Sequence, residues 1–273
     1  MLNTRRKRAV TRLKRVGAIL GIIYLIIGAS LYFYQEKILF LPRPLPDDFS
    51  YEFSHPFEEV FMETDGGRIN MIHFKIENPK GVVLYFNGNS RNLSSWGRRA
   101  QFLVDKQYDV LVMDYRSFGK SKGELSEAAF FSDAQFCYNY LLDRYDEKSI
   151  SVYGRSLGTG IATYISSTNS PKQLVLETPY YSIADVGKSR FPIYPVKWLL
   201  KYKFQSYKYI QNVSCPITIF HGTNDDVVPY TSGKELYKVA SKKNAEFITI
   251  DGGRHNNLRR YDMYQQKIGQ IFR

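Results

Sequence analysis

The segment Ile150-Ser-Val-Tyr-Gly-Arg-Ser156-Leu-Gly-Thr-Gly160 carries the pattern that decides the fold of this chain. Ile150 to Tyr153 is a short β-branched and aromatic run, which is typical of a buried strand. The small residues from Thr159 to Ser167 predict a helix. A serine between the two, with glycine two residues away on both sides, indicates a sharp turn that strains Ser156 and leaves room only for glycine beside it. Such a turn exposes the hydroxyl at a helix N-terminus, which favours a developing anion.

Apolar runs alternate with helical patterns along the rest of the chain. Strands are expected at 59–64, 69–76, 81–87, 108–115, 173–177, 217–221 and 245–251, and helices at 94–106, 126–145, near 232 and near 259–272. Asp65-Gly66-Gly67 predicts a hairpin turn between the first two strands. Strands that are apolar on both faces and alternate with helices predict an α/β fold with a doubly wound, mostly parallel sheet, to which the hairpin adds an antiparallel edge.

The N-terminal part of the chain predicts a membrane anchor. Residues 16–34 carry no charge, and as a helix they would be about 28 Å long, close to one hydrocarbon core. The cluster Gly28-Ala29-Ser30 would also suit cleavage of a signal peptide, but the apolar run is longer than a typical signal sequence. We therefore expect a basic tail (1–15), a transmembrane helix (16–34) and a linker (35–57).

The net charge of +12 is concentrated in the tail rather than in the predicted domain. Seven basic residues precede the span: Arg5, Arg6, Lys7, Arg8, Arg12, Lys14 and Arg15. Basic residues beside a span stay in the cytoplasm, so we expect a signal-anchor with the domain on the extracytoplasmic side. A nucleic-acid partner would require a basic stripe within the domain and is not expected.

The α/β domain is expected to cover 58–273 and to contain a lid. The connection between two strands, Pro179 to Pro216, is rich in Tyr, Lys and Phe. A connection of this length inside a compact domain is usually functional. We therefore expect a lid insertion at about 183–214.

A serine nucleophile needs a base, and the base needs an orienting acid. His55 precedes the domain in a loop, His73 is expected in an edge strand of the hairpin, and His221 closes a strand, where we expect it to hold a turn. His255 directly follows the last strand, and the carboxyl ends of such strands face the ligand crevice. His255 is therefore the expected base, and Asp225 and Asp226 after strand 217–221 are both candidates for the acid.

Two backbone N–H groups are expected to form an oxyanion hole. One belongs to Leu157, directly after the nucleophile, and the other to Asn89 in the loop after strand 81–87. No cluster with metal-ligand spacing occurs, so neither a metal nor another cofactor is expected. Walker and dinucleotide-binding patterns are also missing from the sequence, which disfavours a nucleotide-binding protein.

Six motifs in the same order resemble those of α/β-hydrolases, specifically single-span, membrane-anchored members of the serine aminopeptidase-like group. They are Phe33-Tyr-Gln-Glu-Lys-Ile-Leu-Phe-Leu-Pro42, Phe86-Asn-Gly-Asn89, Asp114-Tyr-Arg-Ser-Phe-Gly-Lys-Ser121, Gly154-Arg-Ser-Leu-Gly158, His221-Gly-Thr-Asn-Asp225 with Val228-Pro229, and Gly253-Arg-His-Asn256. The resemblance covers essentially the whole chain.

This resemblance implies that Ser156 is the nucleophile, Asp225 the acid and His255 the base. It implies cleavage of an ester, thioester or amide, and the lid aromatics and the anchor favour a small acyl or lipid-like ester or thioester over a peptide. The family usually has His where Asn87 stands and often Gly where Ser117 stands. We interpret Asn87 as a structural position, and the alternative to an enzyme is a membrane-tethered scaffold with a decayed site.

Overall fold

The computed structural model describes residues 2–240 and 244–273, so Met1 of the expected basic tail lies outside the described residues. The strands are β1 (Leu41–Pro42), β2 (Phe57–Thr64), β3 (Gly67–Phe74), β4 (Val82–Phe86), β5 (Ser90–Arg91), β6 (Asp109–Met113), β7 (Lys122–Gly123), β8 (Ile150–Arg155), β9 (Gln173–Glu177), β10 (Ile217–Gly222) and β11 (Ala245–Ile250). Within the described ranges, nine of them form one sheet in the order β11-β10-β9-β8-β4-β6-β3-β2, with β7 paired to β3.

The helices connect the strands across both faces of this sheet. They are α1 (Leu2–Phe33), α2 (Gln35–Leu39), α3 (Leu93–Val104), α4 (Glu127–Leu142), α5 (Leu157–Thr168), α6 (Ile183–Arg190), α7 (Val196–Leu199), α8 (Ser206–Tyr209), α9 (Tyr230–Ala240) and α10 (Asp262–Ile271). Ser126 caps α4 by accepting a 3.0 Å hydrogen bond from the Ala129 N–H, so the expected start of this helix is confirmed.

The central sheet is mostly parallel, as predicted. Strands β11, β10, β9, β8, β4 and β6 run parallel to one another, and β3 and β2 add the antiparallel edge. Alternate side chains of one strand enter two separate cores: Leu84 belongs to the core that also contains residues of α4, α5 and α9, and Tyr85 to the core that also contains residues of α3 and α10. Helices therefore cover both faces, which explains why the strands are apolar on both sides.

The opening hairpin differs from the sequence-based expectation in one respect. The turn itself lies at Asp65-Gly66, within the predicted segment, and Gly66 has a φ of 71° that glycine adopts without strain. The difference concerns the second strand of the hairpin. The prediction that His73 lies in an edge strand is wrong, because β3 pairs with β2 on one side and with β6 on the other. His73 is consequently fully buried. The pairing with β6 joins residues far apart in sequence, so no local pattern reveals it.

Two other elements differ in extent from the prediction. The C-terminal segment first forms a 3-10 turn at Leu258–Arg260, and α10 begins only at Asp262. The helix α1 continues without a break through both the expected basic tail and the expected span. From Ala9 to Phe33 this helix is long and apolar enough to cross a membrane.

Residues 35–46, which we expected to act as a linker, pack against the domain. The Phe40 side chain is 2% exposed, and its ring lies 5.2 Å from that of Phe130 and 4.8 Å from that of Tyr202. Strand β1 pairs in parallel with β5, which follows the end of β4. The segment after α1 is therefore joined to the expected lid insertion, to α4 and to the loop after β4.

Phe40→Ala should lower the free energy of unfolding by about 3–5 kcal/mol, because it removes a buried aromatic ring and leaves a cavity. Leu41→Ala is the matched control, since the Leu41 side chain is 54% exposed. Thermal melting of the full chain in detergent, followed by circular dichroism, compares the two variants. Equal and small shifts in melting temperature would mean that this segment does not contribute to the folded domain.

Candidate active site

The turn that contains Ser156 joins β8 to α5 and has a strained backbone. Ser156 has φ 52° and ψ −118°, a conformation that non-glycine residues rarely adopt and that costs about 1–3 kcal/mol. A Cβ atom on Gly158 would lie 2.2 Å from the Phe86 carbonyl oxygen, and one on Gly154 would lie 2.6 Å from the Ala162 Cβ. Only glycine fits at these two positions, as the sequence pattern predicts.

Ser156, His255 and Asp225 form a connected chain of hydrogen bonds. The His255 Nδ1 atom lies 2.8 Å from Asp225 Oδ2, and its Nε2 atom lies 2.9 Å from Ser156 Oγ. Because a carboxylate can only accept, the His255 Nδ1–H donates to Asp225 and leaves Nε2 free to accept from the Ser156 hydroxyl. Ser156 is 8% and His255 5% exposed, so this hydrogen-bonded chain lies beneath the surface.

The Asp225 carboxylate is held by the loop after β10. Its Oδ1 atom accepts hydrogen bonds from the N–H groups of Val227 (2.9 Å) and Val228 (2.8 Å). Burial alone would raise the pKa of Asp225, but hydrogen bonds from His221 and His255 and from the Val228 N–H hold it well below its usual range. Asp225 is therefore ionised at neutral pH and suited to orient an imidazole.

Asp226, the alternative candidate for the acid, occupies a different environment. Asp226 is exposed, and its main-chain carbonyl accepts a 2.7 Å hydrogen bond from Arg190 of α6. The structure thus brings Asp225 rather than Asp226 into contact with His255.

Two other histidines lie in separate surroundings. His55 pairs on the surface with Asp105 at 2.8 Å. The His73 ring nitrogens lie 3.2 Å and 3.1 Å from the hydroxyl groups of Tyr140 and Tyr145. Burial lowers the pKa of His73 to about 4, so this imidazole is neutral at neutral pH.

His221 supports the candidate acid, which sequence reasoning did not anticipate. The His221 Nε2 atom lies 3.1 Å from the Val228 carbonyl oxygen and 3.4 Å from Asp225 Oδ2. His221 thus holds the turn, as expected, and also contacts the carboxylate. Its position four residues before Asp225 was the available signal, since a strand end and its loop can bring such residues together.

Arg155, directly before the candidate nucleophile, was also missed by the sequence analysis. Its Nη2 atom donates to the His255 carbonyl oxygen at 2.9 Å and to Asn256 Oδ1 at 2.8 Å. Its Nε atom donates to Glu177 Oε1 at 3.0 Å. Arg155 therefore connects the nucleophile turn to the loop that carries His255.

Glu177 is a buried carboxylate at the end of β9 with several charged and polar partners. Tyr153 and Tyr264 both donate hydrogen bonds to its Oε2 atom, and the Arg259 Nε atom lies 3.6 Å away. Burial would raise the pKa of Glu177, but Arg259 and Arg155 lower it to about 2. In the sequence, the sign of this buried carboxylate was that Glu177 ends the apolar run of β9 with a charged residue.

The loop after β4 contacts the start of α5. A Cβ on Gly158 would also lie 2.7 Å from the Asn87 carbonyl oxygen, so the segment from Asn87 to Asn89 lies beside the first turn that contains Leu157. The Asn89 side chain donates to the Leu39 carbonyl at 2.7 Å, which fixes this loop to α2. The first N–H groups of a helix have no acceptor within the helix and are available to an anion.

Asn87 is fully buried and has structural contacts. Its carbonyl accepts a 2.7 Å hydrogen bond from the Tyr115 hydroxyl. With the amide oriented to satisfy its neighbours, the side chain donates to the Met113 carbonyl at 3.1 Å and accepts from the Trp96 indole at 3.3 Å. These contacts support the interpretation of Asn87 as a structural position.

Comparison with known proteins supports the fold and the family. A solved esterase from Pyrococcus furiosus, Pf2001, superposes with a TM-score of 0.65 at 19% identity and covers 84% of this chain and 97% of its own. A putative alpha/beta hydrolase of Acanthamoeba polyphaga mimivirus is 28% identical over 233 residues, which are 82% of this chain and 87% of the relative.

A third relative shares a smaller part of its length. The lysophosphatidylserine lipase ABHD12 of Danio rerio is 31% identical over 185 residues, which cover 59% of this chain and 47% of that protein. The family model described as serine aminopeptidase, S33, matches residues 77–209 and 200–259, which together are more than half of the chain. The chain therefore belongs to the serine aminopeptidase S33 family of α/β hydrolases.

Proposed function

We propose that this α/β hydrolase is a serine hydrolase in which Ser156 is the nucleophile, His255 the general base and Asp225 the orienting acid. The observation that carries this proposal is the continuous hydrogen-bonded connection from Ser156 Oγ through the imidazole to Asp225. A buried, ionised Asp225 fixes the tautomer that leaves Nε2 as an acceptor and stabilises the imidazolium that forms during the reaction.

The reaction proceeds through an acyl-enzyme. Ser156 Oγ attacks the substrate carbonyl carbon while its proton moves to His255 Nε2. The N–H groups of Leu157 and Asn89 donate to the oxyanion, and each such donor typically lowers the barrier by about 2.7–4 kcal/mol. The imidazolium then protonates the leaving group, the acyl group stays on Ser156, and a water activated by His255 releases it as a carboxylic acid.

We propose an ester or thioester with an acyl chain as the substrate class. Among the relatives, one is named a lipase and one an esterase. The aromatic lid insertion, about 183–214, would suit an apolar substrate better than a peptide. Family membership supports hydrolysis more strongly than it supports a particular bond.

We also propose that α1 anchors the protein in a membrane with residues 1–15 in the cytoplasm. The apolar helix from Ala9 to Phe33 is long enough to cross a bilayer, and the basic residues at its start favour a cytoplasmic N-terminus. The hydrolase domain would then lie on the extracytoplasmic side, close to the membrane surface.

Ser156→Ala should lower the turnover of an activated ester by on the order of a millionfold, because the nucleophile is lost. Ser166→Ala is the matched control: Ser166 lies in α5, the helix that follows Ser156, is buried, and its hydroxyl has no partner among the described residues. Hydrolysis of p-nitrophenyl acetate by the purified full chain measures both. Retained turnover in Ser156→Ala would refute the nucleophile assignment, and an inactive wild type would favour a scaffold.

Asp225→Asn should lower kcat by about 10⁴-fold, because an amide stabilises the wrong imidazole tautomer. Asp226→Asn should leave kcat close to the wild-type value, since Asp226 is exposed and its hydrogen bond with Arg190 uses the main-chain carbonyl, which the substitution keeps. Steady-state kinetics on the same ester compares the neighbouring variants. Mild and equal losses would place the acid elsewhere.

External protease added to spheroplasts that contain the full chain should degrade the domain and leave a small membrane-embedded N-terminal fragment. Immunoblotting of N- and C-terminal tags, beside one cytoplasmic and one periplasmic marker protein, gives the result. Full protection of the domain would place it in the cytoplasm. A soluble mature form that begins near Leu31 would identify the segment as a cleaved signal peptide.

A further inference from the structure

Part of the lid lies directly against the candidate membrane helix. We call this segment, residues 191–198, the lid tip. The Tyr194 ring stacks on the Tyr24 ring of α1, with centroids 4.6 Å apart and planes 5° apart. The Tyr24 hydroxyl donates to the Ile193 carbonyl at 3.1 Å. One turn along α1, a Cβ added to Gly28 would lie 3.5 Å from the Tyr194 ring.

This contact fixes the position of the lid tip relative to a bilayer. Tyr24 lies about 14 Å along the helix from its end at Phe33, given a rise of about 1.5 Å per residue. A hydrocarbon core is about 30 Å thick. If α1 spans the membrane, the leaflet on the side of the domain is about half of that thickness. This leaflet is therefore deep enough to contain the part of the lid tip that contacts Tyr24.

The exposed side chains of the lid tip suit this leaflet. Ile193 is 71% and Trp198 86% exposed, which is unusual for large apolar groups on a surface that faces water. Tryptophan is enriched at membrane interfaces. Four exposed lysines lie in or near the tip and can extend to lipid phosphates: Lys188, Lys197, Lys201 and Lys203.

Most backbone N–H groups of the lid tip are either satisfied within the protein or missing because the residue is proline. An unsatisfied N–H group inside a bilayer costs several kcal/mol. Pro192 and Pro195 have no N–H group at all. Four other N–H groups donate to carbonyls of the tip or of the preceding turn: those of Phe191, Tyr194, Val196 and Trp198.

An apolar cavity of about 350 Å³ lies between α1, α2 and the lid. We call it the lid cavity, and its volume falls within the usual range for small-molecule sites. Leu31, Ile38 and Leu39 form one wall, and Ile183 and Val186 of α6 contribute to the other.

The lid cavity reaches from the end of the candidate span to the loop of the candidate acid. Its lining includes Leu31 of α1 and Val227, whose N–H donates to Asp225. Arg190 at the end of α6 also donates to the Val227 carbonyl at 3.3 Å. Gln35, a polar lining residue, has its amide satisfied by the Tyr32 and Leu199 carbonyls and by the Lys201 N–H.

We propose that the lid tip lies in the leaflet from which α1 emerges, and that the lid cavity binds the acyl chain of a substrate that enters from this leaflet. This inference rests on the proposed hydrolase function and membrane anchor. It adds the site that binds the acyl chain of the substrate and the route by which this acyl chain enters. The carbonyl group of such a substrate would approach Ser156 while its chain remains between α1 and α6.

Tryptophan fluorescence tests the position of the lid tip. The chain has two tryptophans, and Trp96 is buried while Trp198 is exposed. With the full chain in phosphatidylcholine vesicles, lipids brominated on their acyl chains should quench part of the emission, and Trp198→Phe should abolish that quenching. Equal quenching in both proteins, or quenching of Trp198 by aqueous iodide alone, would overturn the placement.

Chain-length selectivity tests the lid cavity. Val186→Trp fills the cavity, so kcat/KM for p-nitrophenyl palmitate should fall at least about tenfold, because buried methylenes lose their apolar contacts. The value for p-nitrophenyl acetate should stay within about threefold, which also reports a folded site. Leu142→Trp is the control, since Leu142 is a partly exposed residue of α4 outside the cavity.

The outcomes separate this inference from the proposed function. If Val186→Trp loses activity on both esters, Leu31→Trp provides a second test, because it fills the lid cavity from α1. It should also lower kcat/KM selectively for the palmitate ester. Equal effects of Leu31→Trp on both esters would overturn the inference while leaving the hydrolase function intact. A wild type that hydrolyses neither ester would refute the proposed function itself.

Discussion

The close approach between the start of α5 and the end of β4 is the constraint on which the rest of the candidate site depends. Gly158 lies so near the Phe86 carbonyl that no other residue fits without a shift of the backbone. Two residues earlier, Ser156 has a positive φ of 52°, and α5 leaves the sheet directly after it. The contact at Gly158 also brings the loop after β4 beside the first N–H groups of α5. Packing at one glycine therefore positions both the hydroxyl and the candidate oxyanion donors.

Buried charges stabilise this arrangement across three strands. Arg155 is the last residue of β8 and donates to the loop that carries His255, while Glu177 at the end of β9 accepts from Arg155. Removing one partner of a buried ion pair typically costs about 3–5 kcal/mol, because the other charge is left unpaired. The network thus couples the stability of the sheet to the position of the imidazole.

The sequence was most informative where local pattern determines structure. The order of strands and helices, the glycines around Ser156 and the Ser126 cap follow from short-range sterics and hydrogen bonding, and the structure confirms them. The contacts of Arg155 and the packing of Phe40 depend on residues far apart in the chain. No periodicity or motif within one segment reports such contacts. His73 shows the same limit, because its neighbouring strand β6 is distant in sequence.

We propose Ser156 as the activated nucleophile of a working hydrolase. The most direct measurement is peptide mapping by mass spectrometry after the full chain reacts with a fluorophosphonate, which modifies activated serines. We expect one phosphonylated peptide with the adduct on Ser156, and no adduct when the protein is denatured before the reaction. An adduct on another serine, or none in the native protein, would contradict this assignment.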